Sequence, residues 1–141
     1  LNLVKQKCSN CHAGELFTDN EFHNNGLDAT FTDQSLGGVF LGRFRVTKNV
    51  NDLGKFKTPT LRNVILTEPY MHDGRFKNID QVLDHYSEEL KPSATVDKAL
   101  FQNNGQLGIP LSLAEKNAVK AFLTTLTDEE FIHNKNFSNP Y

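Results

Sequence analysis

The sequence contains no tryptophan, one methionine and only two cysteines among 141 residues. Two cysteines exclude a disulfide-dense scaffold and leave too few thiolates for an all-cysteine zinc centre. No apolar run approaches the ~18 residues that a membrane-spanning helix needs. Neither sign of charge dominates: 15 Lys plus Arg face 17 Asp plus Glu, a formal net charge of -2. That balance argues against a protein built to coat nucleic acid or an anionic membrane. The length suits one domain burying roughly two-thirds of its unfolded surface, so residues 1–141 read as a single unit. No basic and apolar export signal precedes Leu1, and the sequence reads as a mature or excised piece.

The two cysteines are three positions apart and a histidine follows at once: Cys8-Ser9-Asn10-Cys11-His12. C-x-x-C-H is the pattern of covalent c-type haem attachment. Two thiols this close can add to the porphyrin vinyl groups, and the next side chain then lies beneath the iron, where imidazole is a good axial ligand. A redox-active dithiol, part of a zinc site and a strained local disulfide are the competing readings. Zinc lacks a matching ligand pair, because His23, His72, His85 and His133 are scattered. Haem attachment implies maturation outside the reducing cytosol, in a periplasmic or otherwise extracytoplasmic setting.

A short helix before Cys8 would deliver the cysteines to the haem. From Ala13 to Lys57 the chain is rich in Gly, Asn, Asp and Thr with no sustained period, which predicts a long wrapping loop. So long a loop needs something large to pack on, and a porphyrin supplies it. Thr60–Leu66 predicts one or two helical turns, stopped by Pro69. Asn78 reads as an N-cap, with Gln81 at the reciprocal capping position. The following helix would bury Ile79, Val82, Leu83, Tyr86 and Leu90, leaving His85 at its margin. Ser112 and Glu115 form a capping box that opens a helix to about Leu126, with Ala118, Val119, Phe122 and Leu126 inward. The tail from Thr127 carries Phe131, Ile132, Phe137 and Tyr141 without a period, as if it packed along the surface or against another domain. The fold expected is all-α: a cytochrome c-like domain with long irregular loops wrapped around one covalent haem c.

The second axial ligand decides whether the iron is closed to chemistry. Met71 lies 59 residues after His12, and Tyr86 lies 74 residues after it on the inward helix face. Periodicity favours neither. A thioether raises the reduction potential, whereas anionic phenolate stabilises ferric iron and lowers it. A single-haem electron carrier closed by Met71 is the non-enzymatic alternative.

The run Lys55-Phe56-Lys57-Thr58-Pro59-Thr60-Leu61-Arg62-Asn63-Val64, then Pro69-Tyr70-Met71-His72-Asp73-Gly74, closely resembles the C-terminal, electron-transferring haem domain of bacterial di-haem cytochrome c peroxidases. The likeness continues through Ile79–Tyr86 and the closing Leu111–Asp128. It implies Cys8 and Cys11 as thioether anchors and His12 as proximal ligand. The distal methionine of the family stands fourteen residues after the H-D-G histidine, a place held here by Tyr86. Tyrosine there resembles the branch that matures the tryptophan-derived cofactor of methylamine dehydrogenase.

The resemblance further implies calcium between two haem domains, with main-chain carbonyls of Thr67 and Pro69 as ligands, and haem propionates paired with Arg62 and Arg75. His72 would stabilise the haem surroundings or the region where electrons come in. The implied partners are an N-terminal haem domain of the same enzyme and a small donor such as a monohaem cytochrome c or a cupredoxin, and a homodimer is allowed. The peroxide-cleaving haem would lie in that N-terminal domain, so no catalytic residue is expected in this chain.

Overall fold

The computed structural model describes residues 1–32 and 38–138. Among them the chain is mostly helical, with one small β pairing. Helix α1 (Asn2–Lys7) leads directly into the C-x-x-C-H turn. Strand β1 (Phe22–His23) pairs antiparallel with β2 (Phe56–Lys57), and the short helix α2 (Phe44–Thr47) lies between them. The stretch expected as a plain loop is therefore closed on itself by a two-residue ladder and helical turns. Gly42 shows why glycine is needed there: its φ is +58°, and a Cβ would collide with the Lys55 carbonyl that accepts from the neighbouring Arg43 N–H at 2.8 Å. Gly37 of the same stretch and Tyr141 of the tail lie outside the described residues.

Helix α3 (Ile79–Asp84) begins as the cap predicts, with Asn78 Oδ1 accepting from the Gln81 N–H at 3.0 Å. Gln81 Oε1 accepts from the Lys77 N–H at 2.6 Å, one residue before the place a capping box would use. The α-helix then gives way to a π-helical segment, His85–Glu89. Widening the turn changes the angular phase, so His85, expected at the margin, is 2% exposed.

Helix α4 (Leu113–Thr124) carries the capping box in full, the Ser112 N–H donating to Glu115 Oε2 at 2.8 Å. Its buried residues are Val119 and Leu123, at 3% and 5% exposure, flanked by half-buried Phe122 and Leu126. Ala118, expected inward, is exposed. The stripe i, i+3, i+4, i+7 thus starts at Val119, one position later than expected. Helices α1, α3 and α4 meet in one core of Val4, Ile79, Leu83, Leu111, Val119 and Leu123. Lys116 and Lys120 of α4 reach Asp84 and Asp80 of α3 at 2.7 and 2.8 Å.

Only Val64–Leu66 of the segment expected to be helical forms a turn, of the 3-10 type. Asn63 before it adopts φ 58° and is tied to the end of α4, its N–H donating to Leu126 O at 3.0 Å and its Oδ1 accepting from the Asp128 N–H at 2.6 Å. The tail is more ordered than its sequence suggests. Asp128 caps α5 (Glu129–His133), and the exposed rings of Phe131 and Phe137 stack with centroids 5.1 Å apart.

Leu123→Ala should cost about 2–5 kcal/mol by leaving a cavity between α4 and the core. Ala118→Ser should stay within about 0.5 kcal/mol. Urea unfolding followed by circular dichroism separates the two, and equal losses would contradict the stripe.

Candidate haem-binding site

Cys8 caps α1, donating its N–H to Val4 O at 2.8 Å, and its carbonyl accepts from Cys11 and His12 at 3.3 and 2.9 Å. This tight turn presents both cysteines, half-buried and unbridged, from the end of one helix. Burial pushes the Cys8 thiol up, with Lys7 opposing. Burial, followed by the charges of Asp97, Asp19 and Cys8, pushes Cys11 up to about 11. Both sulfurs are therefore protonated at neutral pH. A redox dithiol works from an environment that favours thiolate, which burial here opposes.

His12 has a fixed orientation. A carbonyl can only accept, so the 2.9 Å contact between Nδ1 and Phe17 O assigns the proton to Nδ1 and leaves the Nε2 lone pair for a metal. Burial lowers the His12 pKa, with the Phe17 carbonyl bond opposing, and the ring is neutral at pH 7. Phe17 is held in turn: its ring packs edge-on against Phe122 of α4 at 5.6 Å. The helix that closes the core thus sets the carbonyl that sets the imidazole. Two unbridged cysteines presented from one turn and a neutral imidazole oriented by its Nδ1 bond fit a covalently bound haem c.

Tyr86 stands on the π-helical segment, half-buried, and burial pushes its phenol up to about 12, with the Asn25 amide pulling downward and Cys11 and Cys8 adding to the rise. Its hydroxyl therefore feels both attachment cysteines. Met71 adopts φ 71°, and its Sδ accepts from Asn25 Nδ2 at 3.3 Å. Asn25 also presents its main-chain carbonyl to His85 Nε2 at 3.0 Å. The fold thus joins Met71, His85 and Tyr86 through a residue that sequence reasoning passed over. Its signal was only position, next to a glycine in a polar run.

The other expected residues are spread around this centre. Arg75 is held by carboxylates of the chain itself, Asp73 at 2.6 Å and Asp28 at 2.9 Å, and donates to Leu27 O at 3.2 Å. Arg62 is exposed and donates to Glu15 O at 3.2 Å. His72 lies flat on Phe56, centroids 3.8 Å apart, with Nε2 buried and without a hydrogen-bond partner. Thr67 and Pro69 are both exposed, and Thr67 Oγ1 donates to Val64 O at 3.0 Å.

Sequence reasoning also missed a clamp beside Cys11. His23 Nδ1 meets Asp97 at 2.5 Å and its Nε2 meets Asp19 at 2.9 Å. The ligating atoms of Cys11, Asp19 and His23 lie within 4.8 Å of one another. Both ring nitrogens are engaged with carboxylates, so the cluster holds the chain together by charge-assisted hydrogen bonds.

No protein-family model matches the chain. Similarity to individual proteins is clear. The chain is 35% identical over 127 residues to the methylamine utilization protein MauG of Methylorubrum extorquens, covering 89% of this chain and 32% of that protein. It is 34% identical over 151 residues to the cytochrome-c peroxidase IdrP1 of a Pseudomonas species, covering 89% and 38%. The solved structure of a MauG-like protein associated with microbial copper homeostasis superposes with a TM-score of 0.81 at 32% identity, covering 99% of this chain and 49% of that one. The chain is a homologue of MauG and of the cytochrome c peroxidases. It spans about a third of the length of these two curated relatives and about half of the MauG-like chain. No helix among the described residues is long and apolar enough to cross a membrane.

The His23 clamp gives a pH test. Burial alone would lower the His23 pKa, but hydrogen bonds and charges from Asp97 and Asp19 outweigh it and raise the value. Asp19 and Asp97 shift down, where burial is outweighed by backbone donors and His23. A raised histidine stabilises fully below its unfolded value of ~6.5 and loses that contribution as pH rises through its folded value. The lowered carboxylates stabilise above their unfolded ~3.9 and lose it as pH falls. His23→Gln should therefore cost most, about 1 kcal/mol, between roughly pH 4 and 6.5. The cost should shrink above neutrality, and urea midpoints that differ equally at all pH values would refute the charged clamp.

Proposed function

We propose that this chain is the electron-transferring haem c domain of a MauG-like or cytochrome c peroxidase-like di-haem protein. Cys8 and Cys11 form the thioether links, and His12 binds the iron through Nε2. The observation that carries this reading is the Phe17 carbonyl bond, which fixes the His12 tautomer in the turn that presents both cysteines. Tyr86 would be the distal ligand: it stands on the π-helical segment tied to Asn25, at the place where the family resemblance puts the second ligand. When bound, the haem supplies one-electron redox chemistry; the protein supplies its position, its axial donors and the polarity around it.

The electron path begins at a small donor protein, a monohaem cytochrome c or a cupredoxin, and ends at a second haem in the remainder of the enzyme. In a peroxidase the electrons reduce hydrogen peroxide to water. In a protein of the MauG kind the electrons come instead from a protein or organic substrate, which is oxidised while hydrogen peroxide accepts them and is reduced to water. Arg62 and Arg75 are the candidates for propionate contact. The carbonyls of Thr67 and Pro69 would contribute to a calcium site completed by water and the other domain. The setting is periplasmic or otherwise extracytoplasmic.

Expression with haem-maturation machinery tests the assignment. The chain should carry one covalent haem by pyridine haemochrome, and Cys11→Ser should leave one vinyl group free. Tyr86→Phe should raise the midpoint potential by on the order of 0.1 V, because an anionic donor is lost. Met71→Leu should leave it unchanged. A red thioether-to-iron band abolished by Met71→Leu and kept in Tyr86→Phe would sink the ligand assignment. The full reading frame should contain a second C-x-x-C-H upstream.

A further inference from the structure

We propose that Asn25 is the positioning residue that selects the distal ligand, its amide engaging the Met71 thioether so that the distal place falls to Tyr86. This rests on the haem reading above. An amide NH2 donates, and a thioether sulfur accepts weakly. Nδ2 donates to Met71 Sδ at 3.3 Å, which ties the sulfur to Asn25.

The backbone around Asn25 makes this arrangement stiff. Its carbonyl accepts from His85 Nε2 at 3.0 Å, one residue before Tyr86, so Asn25 and the ligand-bearing segment move together. Asn24 before it is 1% exposed and bonded to Ser93 and Thr95, and the Lys91 N–H bonds to the Gly26 carbonyl behind it at 2.7 Å. On the other side, Met71 sits in a turn closed by the Tyr70 N–H to Phe76 O bond at 2.7 Å and by the ion pairs of Arg75 to Asp73 and Asp28. With the turn held, the Asn25 bond is what ties the Met71 sulfur in place. Phe76 and Tyr86 both pack on His85, with centroids 5.4 Å apart in each pair. The Tyr86 segment is thus supported by packing, and the Met71 sulfur by the amide.

The test uses the haem-loaded chain and three variants, read by ferric absorption, electron paramagnetic resonance and potentiometry. Wild type should show no thioether-to-iron band. Asn25→Leu should free Met71, so that the band appears and the potential rises, and the double variant Asn25→Leu/Met71→Leu should lose the band again. Asn25→Asp keeps the shape of the side chain but cannot donate as a carboxylate. It should show the same gain, and it serves where the leucine variant fails to mature. Unchanged spectra and potential in Asn25→Asp, or a thioether band already present in wild type, would overturn the role of Asn25 alone. A wild-type chain without covalent haem would overturn the proposed function and this assignment with it, and the haemochrome assay separates the two failures.

Discussion

Three consecutive polar side chains hold the irregular half of this protein in place. His23 bridges Asp19 and Asp97, Asn24 bridges Ser93 and Thr95, and Asn25 reaches Met71 and His85. Among the described residues, the region from Ala13 to Lys57 fully buries one hydrophobic side chain, Leu27, so it is not fixed by a hydrophobic core of its own. Directional bonds do that job instead. Their cost is strict: a buried amide without partners loses about 1–3 kcal/mol, and Asn24 is accordingly paired through both its oxygen and its nitrogen. Because the three residues follow one another, the segments they grip, around residues 19, 71, 85 and 91–97, are brought to one place.

A second line of dependence runs through α4. Its capping box fixes the helix start, Val119 and Leu123 seat it in the core, and Phe122 then presents a ring to Phe17. Phe17 adopts a left-handed backbone with φ 52°, which turns its carbonyl toward Nδ1 of His12. An imidazole that would lead the redox chemistry is thus oriented by a helix more than a hundred residues later in the chain. Partners of this outer kind raise ligand basicity and fix the ring plane. The two cysteines and the His12 ring are set by separate supports, the end of α1 and the α4 contact respectively.

Much of this was legible in the residues because local rules governed it. The caps at Asn78 and Ser112, the helix before Cys8 and the attachment pattern itself depend on spacing within a few positions. What was hidden depended on partners far along the chain. His23 finds Asp97 across 74 residues, and Asn25 finds Met71 across 46. Ala118, expected inward, and Leu123, absent from the expected stripe, stand at opposite edges of the face shared by Val119, Phe122 and Leu126, and only the packing of α1 and α3 decides which edge is covered. Asn63 adopts its left-handed conformation because the end of α4 binds it, which no window around residue 63 reveals. The burial of His85 could not follow from a 3.6-residue period, since the segment departs from that period where the histidine stands.

The π-helical segment His85–Glu89 has a bearing on how this region tolerates change. A π turn is equivalent to one residue inserted into a regular helix, with a local bulge absorbing the surplus. Removing any single residue between positions 85 and 89 would let the helix regularise and improve its own backbone bonding. It would also reposition the residues within the turn, among them Ser87, whose hydroxyl now accepts from the Leu111 N–H at 3.1 Å. Substitutions here are graded in effect, whereas a change of length is all or nothing. Descendants of this sequence should therefore vary in residue type across the segment while its residue count stays fixed.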